Sequence, residues 1–299
     1  MSRLAVALLA SALVAGAGCG GGSQTAPPPT QPSQTTTSTT RPATTPPSPQ
    51  SMSWEQAGAF VWHESDVSPE ELGQELRANG FGWVAVFVQD GVTEDPVEND
   101  WIARFRAASG LAVGGWGALR TEPVREAQLA SSLVTRDGLD FFIADAEADY
   151  AYSGLDGPSD ERFRRSARFV SEFRRLQPAL PAAVSSYCRP DQHDLDWNAW
   201  STGGFAFLPQ AYVNDLGNAA SPKSCVEGAM PFFPSSSVHP TVGMYPGVAR
   251  SLSAAAYARL LGRAGTVGFS VYLAETRMTP DGWRALGEAM LAQGIATRS

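Results

Sequence analysis

The clearest candidate for chemistry in this chain is a pair of carboxylates, Asp145 and Glu147, at the end of a short apolar run. A run this short and this rich in Phe and Ile is typical of a buried strand. Because strand side chains alternate between faces, Leu139, Phe141 and Ile143 should share one side with the two acids. Charged groups are almost never buried unless paired, so this pattern predicts the edge of an active site. A strand that has simply ended, with both acids in solvent, is the alternative.

The elements that would position these acids follow from the apolar runs of the chain. Ser68, Pro69 and Glu71 have the spacing of a helix start with a capping box. Further helices are expected at 99–108, 122–136, 159–177, 253–263 and 279–291. Strands are expected at 57–62, 82–89, 111–119, 139–147, 182–187, 204–213, 241–245 and 266–273.

Strands that alternate with helices imply parallel pairing through right-handed crossovers. Eight such strands between residues 52 and 299 match an α/β fold of the (β/α)8 TIM barrel type in a single domain. A doubly wound open sheet is the second possibility. The dinucleotide-binding fingerprint is absent, because Gly114, Gly115 and Gly117 lack its spacing.

Barrel chemistry lies at the C-terminal ends of the strands, so the residues at those ends are the candidate site. Rings there can stack on sugar faces, and amides and acids can bind hydroxyl groups, which together predict a carbohydrate site. The candidates for substrate binding beside the acid pair are Trp62, Trp116, Gln210, Tyr212, Tyr272 and Glu275.

The Asp-x-Glu motif of Asp145 and Glu147 on the fourth strand resembles barrel glycoside hydrolases, in particular family 25 lysozymes and family 18 chitinase-like proteins. Gln210 and Tyr212 on the sixth strand also resemble these families, but less specifically. The resemblance implies hydrolysis of an N-acetylated glycan without a cofactor. Glu147 would be the general acid, and Asp145 would orient the N-acetyl group and stabilise the oxazolinium ion. Two nearby carboxylates raise one pKa and leave a protonated acid beside an ionised partner.

The sequence departs from both families at defined positions. Family 25 enzymes start with an Asp on the first strand, and residues 59–63 offer none. Family 18 enzymes carry a longer acidic series on the fourth strand, where this chain has Phe141 and Ile143. A non-catalytic glycan-binding or structural envelope protein on the same barrel is therefore the alternative to an enzyme.

The N-terminus is typical of a secretory signal, with a basic start, an apolar stretch at 4–15 and small residues before Cys19. The apolar stretch is short for a membrane span. Ala17, Gly18 and Cys19 resemble the lipobox of a bacterial lipoprotein signal, although Gly16 stands where Leu is usual. The resemblance implies a signal peptide at 1–18, lipidation of Cys19, and an extracytoplasmic protein anchored to the cell membrane. Ordinary cleavage or an uncleaved anchor is the alternative.

Residues 19–51 are expected to form a disordered tether, because they consist largely of Gly, Ser, Thr, Pro and Gln. The barrel domain would then span 52–299. Export implies an oxidising compartment, which makes Cys188 and Cys225 candidates for one disulfide.

The formal net charge of −8 and the pI near 5.0 argue against a nucleic-acid partner. We expect a monomer whose partners are a glycan and, through the lipid anchor, a membrane. Cys188 and Cys225 alone cannot build a metal site, and no metal is predicted. The run Asp191, His193, Asp194 and Asp196 could bind a cation or a sugar, or be a solvated loop. Trp197 and Trp200 could stack on sugar or cover the barrel mouth.

Overall fold

Eight parallel strands close into a barrel in the computed structural model, which describes residues 51–98, 100–150, 160–193, 195–244, 252–265, 268–272, 280–292 and 294–295. The strands are Ala57–Val61 (β1), Phe81–Asp90 (β2), Thr93–Glu94 (β3), Ala112–Ala118 (β4), Phe142–Asp145 (β5), Ala182–Tyr187 (β6), Ala206–Gln210 (β7), Thr241–Gly243 (β8) and Ser270–Tyr272 (β9). Strand β1 pairs in parallel with both β2 and β9, which closes the barrel. The predicted (β/α)8 TIM barrel is confirmed.

The short strand β3 was not expected from the sequence. It pairs antiparallel with the end of β2 and lies outside the barrel. The other eight strands correspond one to one with the predicted eight, so the predicted fourth strand is β5.

Helices follow the strands around the outside of the barrel. In the described residues they are Pro69–Ala78 (α1), Trp101–Ser109 (α2), Pro123–Asp137 (α3), Asp160–Leu176 (α4), Trp197–Thr202 (α5), Val213–Leu216 (α6), Pro222–Ala229 (α7), Ala254–Ala264 (α8) and Pro280–Ala292 (α9). The predicted cap of α1 is present, since Ser68 Oγ accepts from the backbone N–H of Glu71 at 3.3 Å. The short helices α5, α6 and α7 were missed, because they hold too few residues to show a clear periodicity.

Aromatic rings fill the barrel interior. Trp54, which precedes β1, packs edge-on against Trp83 at 5.5 Å and against Phe141 at 5.3 Å between ring centroids. Glycines make room for these rings: a Cβ atom on Gly58 would lie 1.9 Å from the Trp83 ring, and one on Gly114 would lie 2.3 Å from the Phe141 ring. The glycines of the first and third predicted strands therefore serve packing and not phosphate binding.

The predicted face of the acidic strand needs one correction. Phe141 and Ile143 do point into the barrel, but Leu139 packs in the layer between strands and helices. Its backbone N–H donates to the carbonyl of Val134 at 3.0 Å, after Gly138 has adopted a left-handed conformation that ends α3. Leu139 thus belongs to the C-terminal cap of the helix, whose apolar contact holds it outside the barrel.

The predicted disulfide between Cys188 and Cys225 is confirmed, with Cα atoms 4.6 Å apart. It ties the segment after β6 to α7. Trp197 and Trp200 are both buried in the outer layer, where Trp197 packs on Phe207 and Trp200 packs on Phe169. Neither one stacks on a ligand face or covers the barrel mouth, which corrects both interpretations.

Several sequence predictions lie outside the described residues, namely Cys19 with its signal and all but the last residue of the tether, and also Asp194 and Glu275. Among the helices that the structure does describe, none is both long and apolar enough to cross a membrane.

Candidate functional site

The acid pair comes together at the C-terminal rim of the barrel, as predicted. Asp145 is the last residue of β5, whereas Glu147 lies two residues beyond the strand. The side-chain nitrogen of Gln210, at the end of β7, lies 3.0 Å from Asp145 Oδ1 and 2.6 Å from Glu147 Oε1. One amide therefore donates to both carboxylates, which places them in a single site.

Burial and the neighbouring charge of Glu147 raise the pKa of Asp145 well above its ordinary value. Hydrogen bonds from Ser185 and Gln210, and the positive charge of Arg120, oppose this rise. The net effect favours the protonated form of Asp145. Asp145 is therefore expected to keep its proton to a higher pH than an isolated Asp does.

Strand β6 supplies two further groups to this site. Ser185 pairs in register with Asp145 and is buried, with its Oγ 3.4 Å from the Gln210 nitrogen. Tyr187, two residues later on the same face, has its pKa raised to about 12, mainly by burial and then by the charges of Glu147 and Asp145. Ser185 was not among the site residues predicted from the sequence. The alternation Ala183, Ser185, Tyr187 is the signal that would have placed it on the inner face.

A cation borders the acid pair on the β4 side. The Arg120 guanidinium donates to Asp90 at 2.6 Å and lies 3.9 Å from an oxygen of Asp149. These acids and, more weakly, Asp145 raise the pKa of Arg120. Arg120 is therefore a fixed positive charge beside the site, and sequence reasoning missed it because nothing local marks it.

Aromatic candidates form part of the rim. Tyr212 and Tyr272 stack on each other with ring centroids 5.7 Å apart, and both are half-buried. Trp116 lies below them, 6.1 Å from Tyr272. It is only 5% exposed, and its Nε1–H donates to the Val61 carbonyl at 2.9 Å. Trp116 was expected as an open stacking surface, and the structure makes it part of the barrel packing under the site.

Trp62 is the exposed ring among the predicted binding residues. It follows β1, is 40% exposed, and stacks on His63 with centroids 5.1 Å apart. His63 is also exposed. These two stacked rings form an exposed aromatic surface at the β1 side of the rim.

The acidic run after β6 has structural roles in its described members. Asp191 pairs with Arg189, and Asp196 caps α5 by accepting from the Ala199 N–H at 3.1 Å. His193 stacks on Tyr187 with centroids 4.3 Å apart, and burial lowers its pKa. Within the described residues, no three His, Cys, Asp or Glu side chains are grouped so that they could hold a metal ion.

The fold of this chain is also found among solved structures, although no family model and no curated protein matches the sequence. A class V chitinase from Nicotiana tobaccum has a TM-score of 0.57 and 8% identity, over 79% of this chain and 98% of that one. A GH18 chitinase from Cycas revoluta in complex with (GlcNAc)3 has a TM-score of 0.56 and 10% identity, over 80% and 99%. The chitinase-like agglutinin from Robinia pseudoacacia has a TM-score of 0.57 and 9% identity, over 78% and 99%.

At these identities the likeness shows the fold alone. The likeness agrees with the TIM barrel of this chain. It also agrees, for the architecture, with the resemblance to chitinase-like barrels noted from the sequence. Of the three structures named above, two are chitinases and one is an agglutinin, so the fold by itself does not decide between cleaving a glycan and binding one.

Proposed function

We propose that this chain is a surface-anchored, glycoside-hydrolase-like protein that cleaves an N-acetylated glycan. Glu147 is the general acid and Asp145 assists. The observation that carries the proposal is the amide of Gln210, which donates to both carboxylates at the C-terminal rim. A paired acid site at this end of a TIM barrel is where the chemistry of that fold is found.

In the proposed reaction Glu147 gives a proton to the glycosidic oxygen while the bond from that oxygen to the sugar C1 breaks. The N-acetyl oxygen of the same sugar bonds to C1, which forms an oxazolinium ion beside Asp145. Water then attacks C1, the N-acetyl group is released, and the proton of that water returns to Glu147. Substrate-assisted enzymes of this kind are the recognised exception to the usual two-carboxylate scheme.

Cleavage requires a proton on Glu147, and Asp145, whose protonated form burial favours, is a neighbouring group that can supply it. Trp62, Tyr212 and Tyr272 supply rings for sugar faces, and Tyr187 lies against the acids. Glu275, although outside the described residues, stays in the proposal as a binding residue.

A non-catalytic glycan-binding protein is the second candidate, and Ile143 favours it. This fully buried side chain lies on the same inner face as Asp145, one position below it. Ile143 cannot exchange a proton or a hydrogen bond with Asp145. A site whose proton stays on Asp145 would bind the N-acetyl group without protonating the glycosidic oxygen.

The remaining parts of the proposal concern location. Cleavage after residue 18 would leave Cys19 to be lipidated, with residues 19–51 as a tether between the membrane and a monomeric barrel. Metabolic labelling with a fatty acid tests this: the wild-type chain should incorporate label and Cys19→Ala should not. An unlabelled wild-type chain would end the claim of an anchor.

Hydrolysis is tested with the full chain on N-acetylated chito-oligosaccharides and on peptidoglycan. Loss of a general acid costs roughly 10²- to 10⁴-fold in rate, so Glu147→Gln should lose nearly all product release. Glu71→Gln, an exposed position on α1 with the same chemical change, is the matched control and should match wild type. Equal product from wild type and Glu147→Gln would exclude this mechanism. Saturable glycan binding without product would favour the second candidate.

A further inference from the structure

Glu147 lies outside the barrel strands, so something other than strand pairing must hold it. The last strand-like contact is at Ala146, whose N–H donates to the Ser185 carbonyl at 2.9 Å. Beyond it, the chain turns, and the N–H of Tyr150 donates to the carbonyl of Glu147 at 2.9 Å. The backbone of Glu147 is therefore tied to the position of Tyr150, whereas its side chain accepts from Gln210.

Tyr150 is fixed by a buried carboxylate. Its ring is fully buried, and its hydroxyl donates to Glu126 Oε2 at 2.7 Å. Burial and the charge of Glu126 raise the pKa of Tyr150, so the phenol keeps the proton that it donates. Glu126 is itself 0% exposed, although it lies on α3, outside the barrel.

The second oxygen of Glu126 holds a different loop. Glu126 Oε1 accepts from the backbone N–H of Arg120 at 2.9 Å and from that of Glu122 at 3.0 Å. The bond to Glu122 is a local contact across the first turn of α3. That local contact needs neither of the other two donors, and those two come from the segments that carry Arg120 and Glu147.

We propose that Glu126 and Tyr150, here called the Glu126–Tyr150 clamp, are positioning residues for the acid pair. The clamp fixes the turn that carries Glu147 and, through the backbone of Arg120, the cation that borders Asp145. Neither residue touches the substrate. The effect on catalysis rests on the proposed function, but the effect on the acid pair itself does not.

Tyr150→Phe tests the clamp by deleting one oxygen and keeping the buried ring. With the turn loosened, the charge of Glu147 lies on average farther from Asp145, and the pKa of Asp145 should fall toward its ordinary value. The readout is a carboxyl ¹³C NMR titration of the full chain, with the Asp145 signal assigned from Asp145→Asn. The matched control is Tyr257→Phe, which likewise removes the hydroxyl of a buried Tyr. The Tyr257 hydroxyl donates to the Gly243 carbonyl and not to a carboxylate, so this variant should leave the Asp145 titration unchanged.

The kinetic readout uses the same variants. Misplacing a reacting group by about 1 Å can cost 10²-fold, so Tyr150→Phe should lower kcat roughly 10- to 100-fold while changing KM much less. Tyr257→Phe should keep the wild-type kcat. In Glu126→Gln the amide can still bridge to the Tyr150 oxygen, so its loss of kcat should be smaller than that of Tyr150→Phe. If Tyr150→Phe does not fold, a wild-type kcat together with a wild-type Asp145 titration in Glu126→Gln overturns the proposal.

The proposal is overturned if Tyr150→Phe and Tyr257→Phe lose similar stability and both leave the Asp145 titration as in wild type. If the wild-type chain hydrolyses nothing, the proposed function fails, and the NMR titration still decides the clamp by itself. If hydrolysis is present but the titration and kcat of Tyr150→Phe are unchanged, the clamp alone fails.

Discussion

Replacing Gln210 with Met should destabilise the protein by an amount that grows with pH. Met keeps the length of the side chain and removes the amide that donates to Asp145 at 3.0 Å and to Glu147 at 2.6 Å. Hydrogen bonds to charged groups contribute about 1.5–3 kcal/mol each, and neutral ones about 1 kcal/mol. Two charged bonds give an upper value of about 3–6 kcal/mol, and water at the half-buried rim should reduce it to about 2–4 kcal/mol.

The pH dependence has a definite sign. Folding raises the pKa of Asp145, so its ionisation costs folding free energy, and stability is lost as the pH rises above the unfolded value of about 3.9. The bond from Gln210 opposes that rise. Without that bond the pKa of Asp145 rises further. The loss in the free energy of unfolding caused by Gln210→Met should therefore be larger at about pH 9 than at about pH 5.

Gln177→Met is the matched control for this variant. Gln177 is also half-buried, and its amide donates to the neutral hydroxyls of Ser131 at 3.0 Å and Thr135 at 3.1 Å. It should cost about 2 kcal/mol at both pH values. Urea unfolding at each pH gives the free energies. A Gln210→Met penalty that is independent of pH would refute the role assigned to Gln210.

Three other predictions concern stability. Asp145→Asn removes a carboxyl group whose pKa is raised by folding, so the variant no longer loses stability by ionising. Its Tm should be above that of wild type at about pH 8 and equal to it at about pH 3. Reducing the disulfide between Cys188 and Cys225, 37 residues apart, should cost about 4 kcal/mol and lower the Tm by roughly 10 °C, measured by calorimetry with and without reductant. Gly58→Ala places a Cβ 1.9 Å from the Trp83 ring and should cost about 1–3 kcal/mol in urea unfolding; an unchanged midpoint would contradict the packing described.

The order of strands and helices was readable from the sequence because it depends on local periodicity. The Ser68 cap and the strand-then-helix alternation need only neighbouring residues. The face of Leu139 was not readable, since that residue could continue a strand or cap a helix, and the conformation of Gly138 decides between the two. Trp116 points into the barrel because side chains alternate along its strand. Its assignment to an open rim rested only on its position near the strand end.

Long-range contacts explain what the sequence did not predict about the site. Gln210 was a candidate for sugar binding, but its donation to both acids depends on the register of β5, β6 and β7. From the sequence alone, Glu126 is interpreted as a solvent-facing residue of a helix. Only its partner Tyr150, 24 residues away, makes it a buried anchor. Residues that act through such partners carry no local pattern to find.

The two functions considered for this barrel differ in the location of one proton. Ile143 offers Asp145 no partner on the inner side, so the hydrogen bonds of Asp145 come from Ser185 and Gln210, which favour its ionised form. Burial and the charge of Glu147 favour the protonated form, and they outweigh those hydrogen bonds. A sugar that displaces water from this rim strengthens every one of these interactions. The protein is an enzyme if the bound glycan draws the proton to Glu147, and a binding protein if Asp145 keeps it.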